Sequence, residues 1–463
     1  MPYLSPSILF NIFYFIIFNP TMCECTDMSL DLKTPRNVPL TAFYKRSFAY
    51  HTVKNRMPVI LTQVIDSLVR NKEGISNEFG EGSADDLKQA IGELSKLKYE
   101  IQTNKPLTPL DEASEENRLY NSHITKQASE DGETTHFNTI WLLTECYMYA
   151  RIKDIFRHTT RLKDFDYFQS SKFEAYHKSR DLMVHLSEFI ININNKVETC
   201  DKREKILKML KLNLWGNKCD LSISLGKVDG PGKLHDTKEL EQFVLVDDSE
   251  NIYQALANSS ITGQEEIDVV LDNSGYEVFT DLCMMDLVTS FSMAKKVNFH
   301  VKQIPWFISD VTEYDFNWTL NQLSQSDNSN MRKLGLKWKE LVQNETWKIV
   351  VHPFWTLPFD FSYMKQYAPD LYNKLEMSKL IIFKGDLNYR KLFGDKNWDP
   401  ITPPEEALQG FLPSRLCTLR TIKADIVVGL KPGVAEQCEK KDVKWMENGD
   451  YGLIQFVNKP TKS

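Results

Sequence analysis

Near residue 240 the hydrophobic period of this 463-residue chain changes. Upstream, apolar residues recur at helical spacing. Ile60/Leu61, Val64/Ile65 and Leu68/Val69 follow Pro58, which suits a first helical turn. Ser83, with Asp86 three positions on, is expected to cap a second helix whose Leu87, Ile91, Leu94 and Ile101 share a face. Further helices are expected over Thr139–His158, Tyr176–Asn195 and Lys202–Trp215, the last stopped by Gly216. Downstream, short β-branched runs at Ile267–Leu271, Val297–Val301, Ile349–His352, Leu380–Phe383, Ile426–Leu430 and Leu453–Val457 alternate with helical segments. Strands that alternate with helices build a mostly parallel sheet covered on both faces. The expected fold is therefore α/β: a helical N-terminal domain over 41–240 packed on an α/β/α sandwich over 241–463, with 1–40 a leader or disordered extension.

Composition excludes several classes. A hydrophobic fraction of 42% and a charged fraction of 26% are ordinary for a globular chain. A formal net charge of -7 with no long Lys/Arg block gives no footprint for nucleic acid. The eight cysteines form no CxxC pair, so a zinc or disulfide framework is not expected. The apolar "SILFNIFYFIIF" at Ser7–Phe18 lacks a basic start and is too short to span a bilayer. The reading favours a cytoplasmic protein, with the nucleus also open, no membrane partner, and secretion as the minor alternative. "GKVDGPGK" (226–233) lacks phosphate-loop spacing and is read as a linker.

Ligands in open α/β sheets sit beyond the carboxyl ends of the strands. There, "VVLDNSGYE" delivers Asp272 and Asn273 to the start of an expected long amphipathic helix from Tyr276, and "VNFHVKQIPWFISD" ends in Asp310, 38 positions on. Two carboxylates and an amide oxygen suit Mg²⁺ or Mn²⁺, although Asp-Asn-Ser-Gly is also an ordinary turn. "LIIFKGDLNYRKL" places Asp386, Asn388 and Arg390 beyond another strand, and "CTLRTIKAD" adds Arg420, able to grip an oxyanion with two donors, and Lys423, a point charge. Together these suit a phosphate ester, with Asp386 and Asn388 toward hydroxyls of the attached group. Ser274 stands where a haloacid-dehalogenase-type phosphatase needs an acid, and GxSxG, HExxH and a dinucleotide glycine fingerprint are missing. His300, His352, Trp306, Trp318 and Trp355 are read as packing residues.

The order "LDNSGYE", "IPWFISD", "DFNW", "FWTLP", "FKGDLNYRKL", "RTIKA" closely resembles the damage-control phosphatase family, in its Arg-Thr-x-Lys subgroup. The likeness runs from Ser47 to Phe456 and takes in "WLLTECYMYARI" and "LWGNKCDLS". It implies a metal-dependent phosphatase acting on sugar phosphates such as fructose 1-phosphate and fructose 6-phosphate, with Mn²⁺ or Mg²⁺, or ions such as Ni²⁺ or Co²⁺. By motif, Asp272, Asn273 and Asp310 match metal ligands, and with Lys423 they form the expected catalytic set. Asp272, Asn273, Asp386, Leu387, Asn388, Tyr389, Arg390 and Lys423 match substrate-binding positions, and Arg420 and Thr421 complete the RTxK motif. The subgroup is also assigned S-adenosylmethionine-dependent methylation of protein glutamate. Under that alternative Glu277 and Asp310 match cofactor positions and the partner is a protein carboxylate. Against it stand the missing glycine-rich cofactor loop and the Arg/Lys pair, for which a methyl acceptor gives no reason.

Overall fold

The computed structural model describes residues 30–216, 238–258 and 265–459. The expected leader over 1–29 and the linker at 226–233 lie outside the described residues. Seven strands form one sheet: β1 (Val244–Asp247), β2 (Glu266–Val270), β3 (Lys296–Val301), β4 (Trp347–Val351), β5 (Leu380–Lys384), β6 (Leu416–Thr421) and β7 (Gly452–Val457). Their spatial order is β1-β7-β6-β5-β2-β3-β4, and every pairing is parallel except β6 with β7. The chain leaves β2 toward β3 on one side and pairs it with β5 on the other. The carboxyl ends of β2 and β5 therefore flank a topological switch point, where open α/β sheets leave a crevice.

Both faces of the sheet are buried, as its continuous apolar strands require. In β5, Ile381 and Phe383 join one core while Leu380 and Ile382 join the other, the period of two expected of a strand between layers. Helices from Phe48 to Arg157 share the first core with Phe354–Phe393 and Tyr451. Helices between Tyr176 and Trp215 join the second, so the helical half is divided between the two faces of the sheet. Residues 30–40, expected outside the folded body, pack on it: Leu40 is buried and its N–H donates to the Asp395 carbonyl at 2.9 Å.

Several elements differ from expectation for identifiable reasons. Ser83 is the first residue of the helix Ser83–Gln102 rather than its cap, and Asp86 instead accepts from the N–H groups of Thr160 and Arg161 at 3.2 and 2.6 Å. The expected helix over Tyr176–Asn195 is two, Gln169–Lys178 and Arg180–Asn194, broken at Ser179, whose hydroxyl bonds back to Ala175. The helix Tyr276–Ser290 is not amphipathic, since Tyr276 through Val288 are all buried between sheet and outer helices. Ile426–Leu430 is no strand. The Val428 N–H binds the Tyr389 hydroxyl, the Val428 carbonyl binds Gln455, and the N–H groups of Gly429 and Leu430 bind Thr402 and Pro400. The strands β1 and β6, unread in the sequence, take the places beside β7.

His300 lies in β3 and pairs through Nε2 with Asp268 at 2.7 Å, fully buried. Trp306 and Trp355 are buried, and Trp318 stacks on Phe173 with centroids 3.9 Å apart. Among the described residues Cys146, Cys200, Cys283, Cys417 and Cys438 are free, and no helix is long and apolar enough to cross a membrane.

His136 gives a measurable pH effect. It is 1% exposed, neither ring nitrogen has a hydrogen-bond partner, and burial pushes its pKa down from 6.5 to about 3. The folded state holds the neutral ring while the unfolded chain takes up a proton near 6.5. The stability this contributes is thus full above that pH and is lost as pH falls toward 3. His136→Phe should shrink the loss of stability between about pH 7.5 and pH 5 by about 2 kcal/mol. Denaturant melts of both proteins at the two pH values check this; equal losses would refute it.

Candidate active site

Asp272 stands two residues beyond β2, where the Leu271 N–H still donates to the His300 carbonyl at 3.1 Å and prolongs the ladder. The loop after β3 folds back on this segment. The Val311 N–H donates to the Asp272 carbonyl at 2.9 Å, the Ser274 N–H to that of Ser309 at 2.7 Å, and Asn273 bridges Asp310. Asp272 and Asp310 are thereby delivered from adjacent strands to one place. Phe307 and Ile308 in the same loop hold φ of 42° and 71°. For a β-branched residue such as Ile308 this conformation costs about 1–3 kcal/mol and is sustained only by its surroundings.

A cavity of about 260 Å³ opens at this point, lined by Asp272, Asn273, Asp310, Asp386, Leu387, Arg390 and Lys423 among the expected residues. From the helical half and the strained loop come Phe48, Arg56, Trp141, Glu145, Phe307, Ile308 and Ser309. A larger cavity of about 370 Å³, bounded by residues 33–46 and 425–447, contains none of the expected residues and is not at the switch point.

Helical spacing explains which expected residues face the cavity. Within the helix Gly385–Leu392, Asp386, Leu387 and Arg390 line it, while Asn388 and Tyr389 turn inward. Asn388 Nδ2 donates to the Lys384 carbonyl at 2.8 Å and reaches the carbonyls of Val270 and Leu271 at 3.4 and 3.3 Å, tying the ends of β2 and β5 together. Arg420 is fully buried and lies over the Tyr389 ring at 4.0 Å. Its donors go to Asp386 Oδ1 and to the carbonyls of Ile426 and Ala424, at 2.8, 2.6 and 3.1 Å. Thr421 is buried and, like Glu277, off the cavity wall. Arg390 is gripped by Asp395 at 2.8 and 3.0 Å and by Glu145 at 2.6 Å, and lies 3.5 Å over the Trp141 ring. Lys423 donates its backbone N–H to Asp386 at 3.0 Å, and its stem packs on Gly449.

Three buried acids repel one another here. Burial first, then Glu277 and Asp310, push the Asp272 carboxyl well above the usual range, against the pull of Lys302 and Lys423. Burial and Glu277 raise Asp310 to about 6, with Lys302 opposing through an ion pair at 3.2 Å that is not aligned as a hydrogen bond. Lys384, invisible as a site residue in the sequence, holds Glu277 at 3.1 Å and Asp281 at 2.7 Å. Asn273 Nδ2 donates to Asp272 at 2.7 Å and Glu277 at 2.8 Å, while its Oδ1 accepts from Ser309 Oγ at 2.5 Å. Among the described residues no three His, Cys, Asp or Glu side chains form a group able to hold a metal ion. The Asp272–Asn273–Asp310 set offers two such residues and an amide.

The fold and the site define an α/β enzyme with its polar centre at the carboxyl ends of a doubly wound sheet. Comparison gives its family. A family model described as "Damage-control phosphatase ARMT1-like domain" matches residues 52–438. The chain is 42% identical over 432 residues to the damage-control phosphatase ARMT1 of Danio rerio, covering 90% of this chain and 96% of that one. It is 40% identical over 423 residues to that of Homo sapiens, covering 89% and 96%. A DUF89 family protein from Pyrococcus horikoshii, of solved structure, aligns at 17% identity over 74% of this chain and 90% of that one, with a TM-score of 0.38, too weak a likeness to support an argument. The chain belongs to the damage-control phosphatase family.

Gly385 connects this geometry to a test. Its φ is +82°, and a Cβ there would stand 1.8 Å from Asp272 Oδ2. Gly385→Ala must displace Asp272 and should lower kcat/KM about a hundredfold or more, since such misplacement of a reacting group costs that much. Gly74→Ala, whose Cβ meets nothing within 4 Å, should leave turnover unchanged in the same phosphate-release assay.

Proposed function

We propose that the chain is a metal-dependent phosphatase that hydrolyses sugar phosphates such as fructose 1-phosphate and fructose 6-phosphate. The observation that carries this reading is the convergence of Asp272, Asn273, Asp310, Asp386 and Lys423 on one cavity at the switch point. The chemistry of the donor set fits a hard divalent ion. Asp272 and Asp310 are buried, the charge of Asp310 adds to the cost of ionising Asp272, and both offer only oxygen. The Ser309 hydroxyl can accept as readily as it donates, so inverting the Asn273 amide would turn Oδ1 toward Asp272 and keep that bond, while giving up the Nδ2 bonds to Asp272 and Glu277. Asp272, Asn273 and Asp310 would then hold Mn²⁺ or Mg²⁺. Such an ion, when bound, neutralises phosphoryl oxygens and lowers the pKa of a bound water.

The protein's own groups do the rest. Lys423, anchored through its backbone on Asp386, donates to the phosphoryl group, and the amino end of the helix Tyr276–Ser290 favours the same negative charge. Asp386, half-buried and fixed by Arg420, faces the hydroxyls of the attached group. Water attacks phosphorus, the ester P–O bond breaks, and the alcohol leaves with a proton, giving inorganic phosphate. A direct attack by water is favoured over an aspartyl-phosphate because Asp272, packed on Gly385, has little freedom to act as nucleophile. Methyl transfer is the weaker reading: of the two residues expected at its cofactor, Asp310 lines the cavity, but Glu277 is off its wall and holds Lys384 and Asn273.

Phosphate release from a sugar-phosphate panel, with Mn²⁺, Mg²⁺ or chelator, tests the reading. Wild type should turn over only with metal, and Asp272→Ala should be inactive. Lys423→Ala should raise KM about ten- to a hundredfold, the worth of a charge-assisted hydrogen bond. Equal turnover by Asp272→Ala and wild type would refute the assignment.

A further inference from the structure

The helical run Phe48–Arg70 is interrupted by one π-helical turn, Thr52–Arg56. Pro58 follows after Met57. Inside a continuous helix a proline lacks the N–H that would bond back and its ring collides with the carbonyl four residues earlier, here that of Lys54. A π turn relieves the conflict, and such turns are frequent at functional sites. The last residue of this one is Arg56, whose side chain lines the candidate active site at its exposed mouth.

Arg56 differs from the other charged groups of the cavity. Arg390 is held by Asp395 and Glu145, Asp386 by Arg420 and the Lys423 backbone, and Asp310 faces Lys302. Among the described residues none forms a hydrogen bond or ion pair with the Arg56 side chain; its guanidinium lies 5.4 Å from the centroid of the Phe48 ring, another cavity residue. An aromatic face steers a guanidinium without using its five donors. The cavity wall carries four carboxylates, Glu145, Asp272, Asp310 and Asp386, against three cations, Arg56, Arg390 and Lys423. A dianionic ligand entering such a cavity needs a cation at the mouth, with donors to spare.

We propose that Arg56 is a substrate-binding residue: its guanidinium takes two phosphoryl oxygens of the ester from the side opposite the sheet. The π turn aims it there, which makes the helical half a direct contributor to phosphate recognition. This inference rests on the phosphatase reading.

The test is steady-state kinetics on fructose 1-phosphate, with inorganic phosphate as product inhibitor, for wild type, Arg56→Ala, Arg56→Lys and the surface control Arg70→Ala. Arg70 is exposed on the same helical run and pairs with Asp66. Arg56→Ala should raise KM and the inhibition constant of phosphate together, about ten- to a hundredfold, with kcat changed much less and thermal midpoint unchanged. Arg56→Lys should recover part of the loss, added guanidinium should rescue Arg56→Ala, and Arg70→Ala should match wild type. Unchanged KM and phosphate inhibition in Arg56→Ala, with wild type active, would overturn this inference alone. No turnover by wild type would overturn the phosphatase reading and this inference with it.

Discussion

Three carboxylates, Asp272, Glu277 and Asp310, are buried together at one end of the sheet, and the surrounding structure is arranged to make that tolerable. Charged groups removed from water are costly unless paired and hydrogen-bonded. Lys384 meets Glu277, Lys302 meets Asp310, and the Asn273 amide stands between Asp272 and Glu277. Both lysines belong to the strand system: Lys384 ends β5 and Lys302 follows β3. The parallel register that puts β3 and β5 on either side of β2 is therefore also what brings the counter-charges to the acids. Burial first, and then the remaining repulsion, raise the carboxyls of Asp272 and Asp310, a cost that a bound cation would relieve.

Around that centre lie residues that position rather than contact. Arg420 spends its donors on Asp386 and on the irregular segment through Ile426, so the RTxK motif fixes the cavity wall through its arginine and reaches the cavity through its lysine. Asn388 ties β2 to β5 from behind. Gly385 permits the close approach of the helix after β5 to Asp272. The helical half completes the wall with Phe48, Arg56, Trp141 and Glu145.

Much of this was legible in the sequence because the sheet is continuous and apolar. The strands ending near Asp272, Asp310 and Gly385 announce themselves by runs such as Val269–Leu271 and Leu380–Phe383. β6 was hidden because its Leu416–Thr421 segment carries a buried arginine, and β1 because it is four residues long and only half-buried. Ile426–Leu430 has strand composition but spends its backbone groups on side chains and loops. A linear motif could not separate Asp386, Leu387 and Arg390 from Asn388 and Tyr389, because only the helical turn sends them to opposite sides. Glu145, Arg56 and Lys384 carry no local signature, as their roles come from distant chain segments meeting at the cavity.

The central claim is that Asp272, Asn273 and Asp310 hold a divalent ion. Titration of Mn²⁺ into substrate-free protein by calorimetry, for wild type and for Asp310→Asn, tests it most directly. The account predicts one ion per chain for wild type and its loss, or weakening by at least about a hundredfold, when the Asp310 charge is removed. Equal affinity and stoichiometry in both proteins would contradict it.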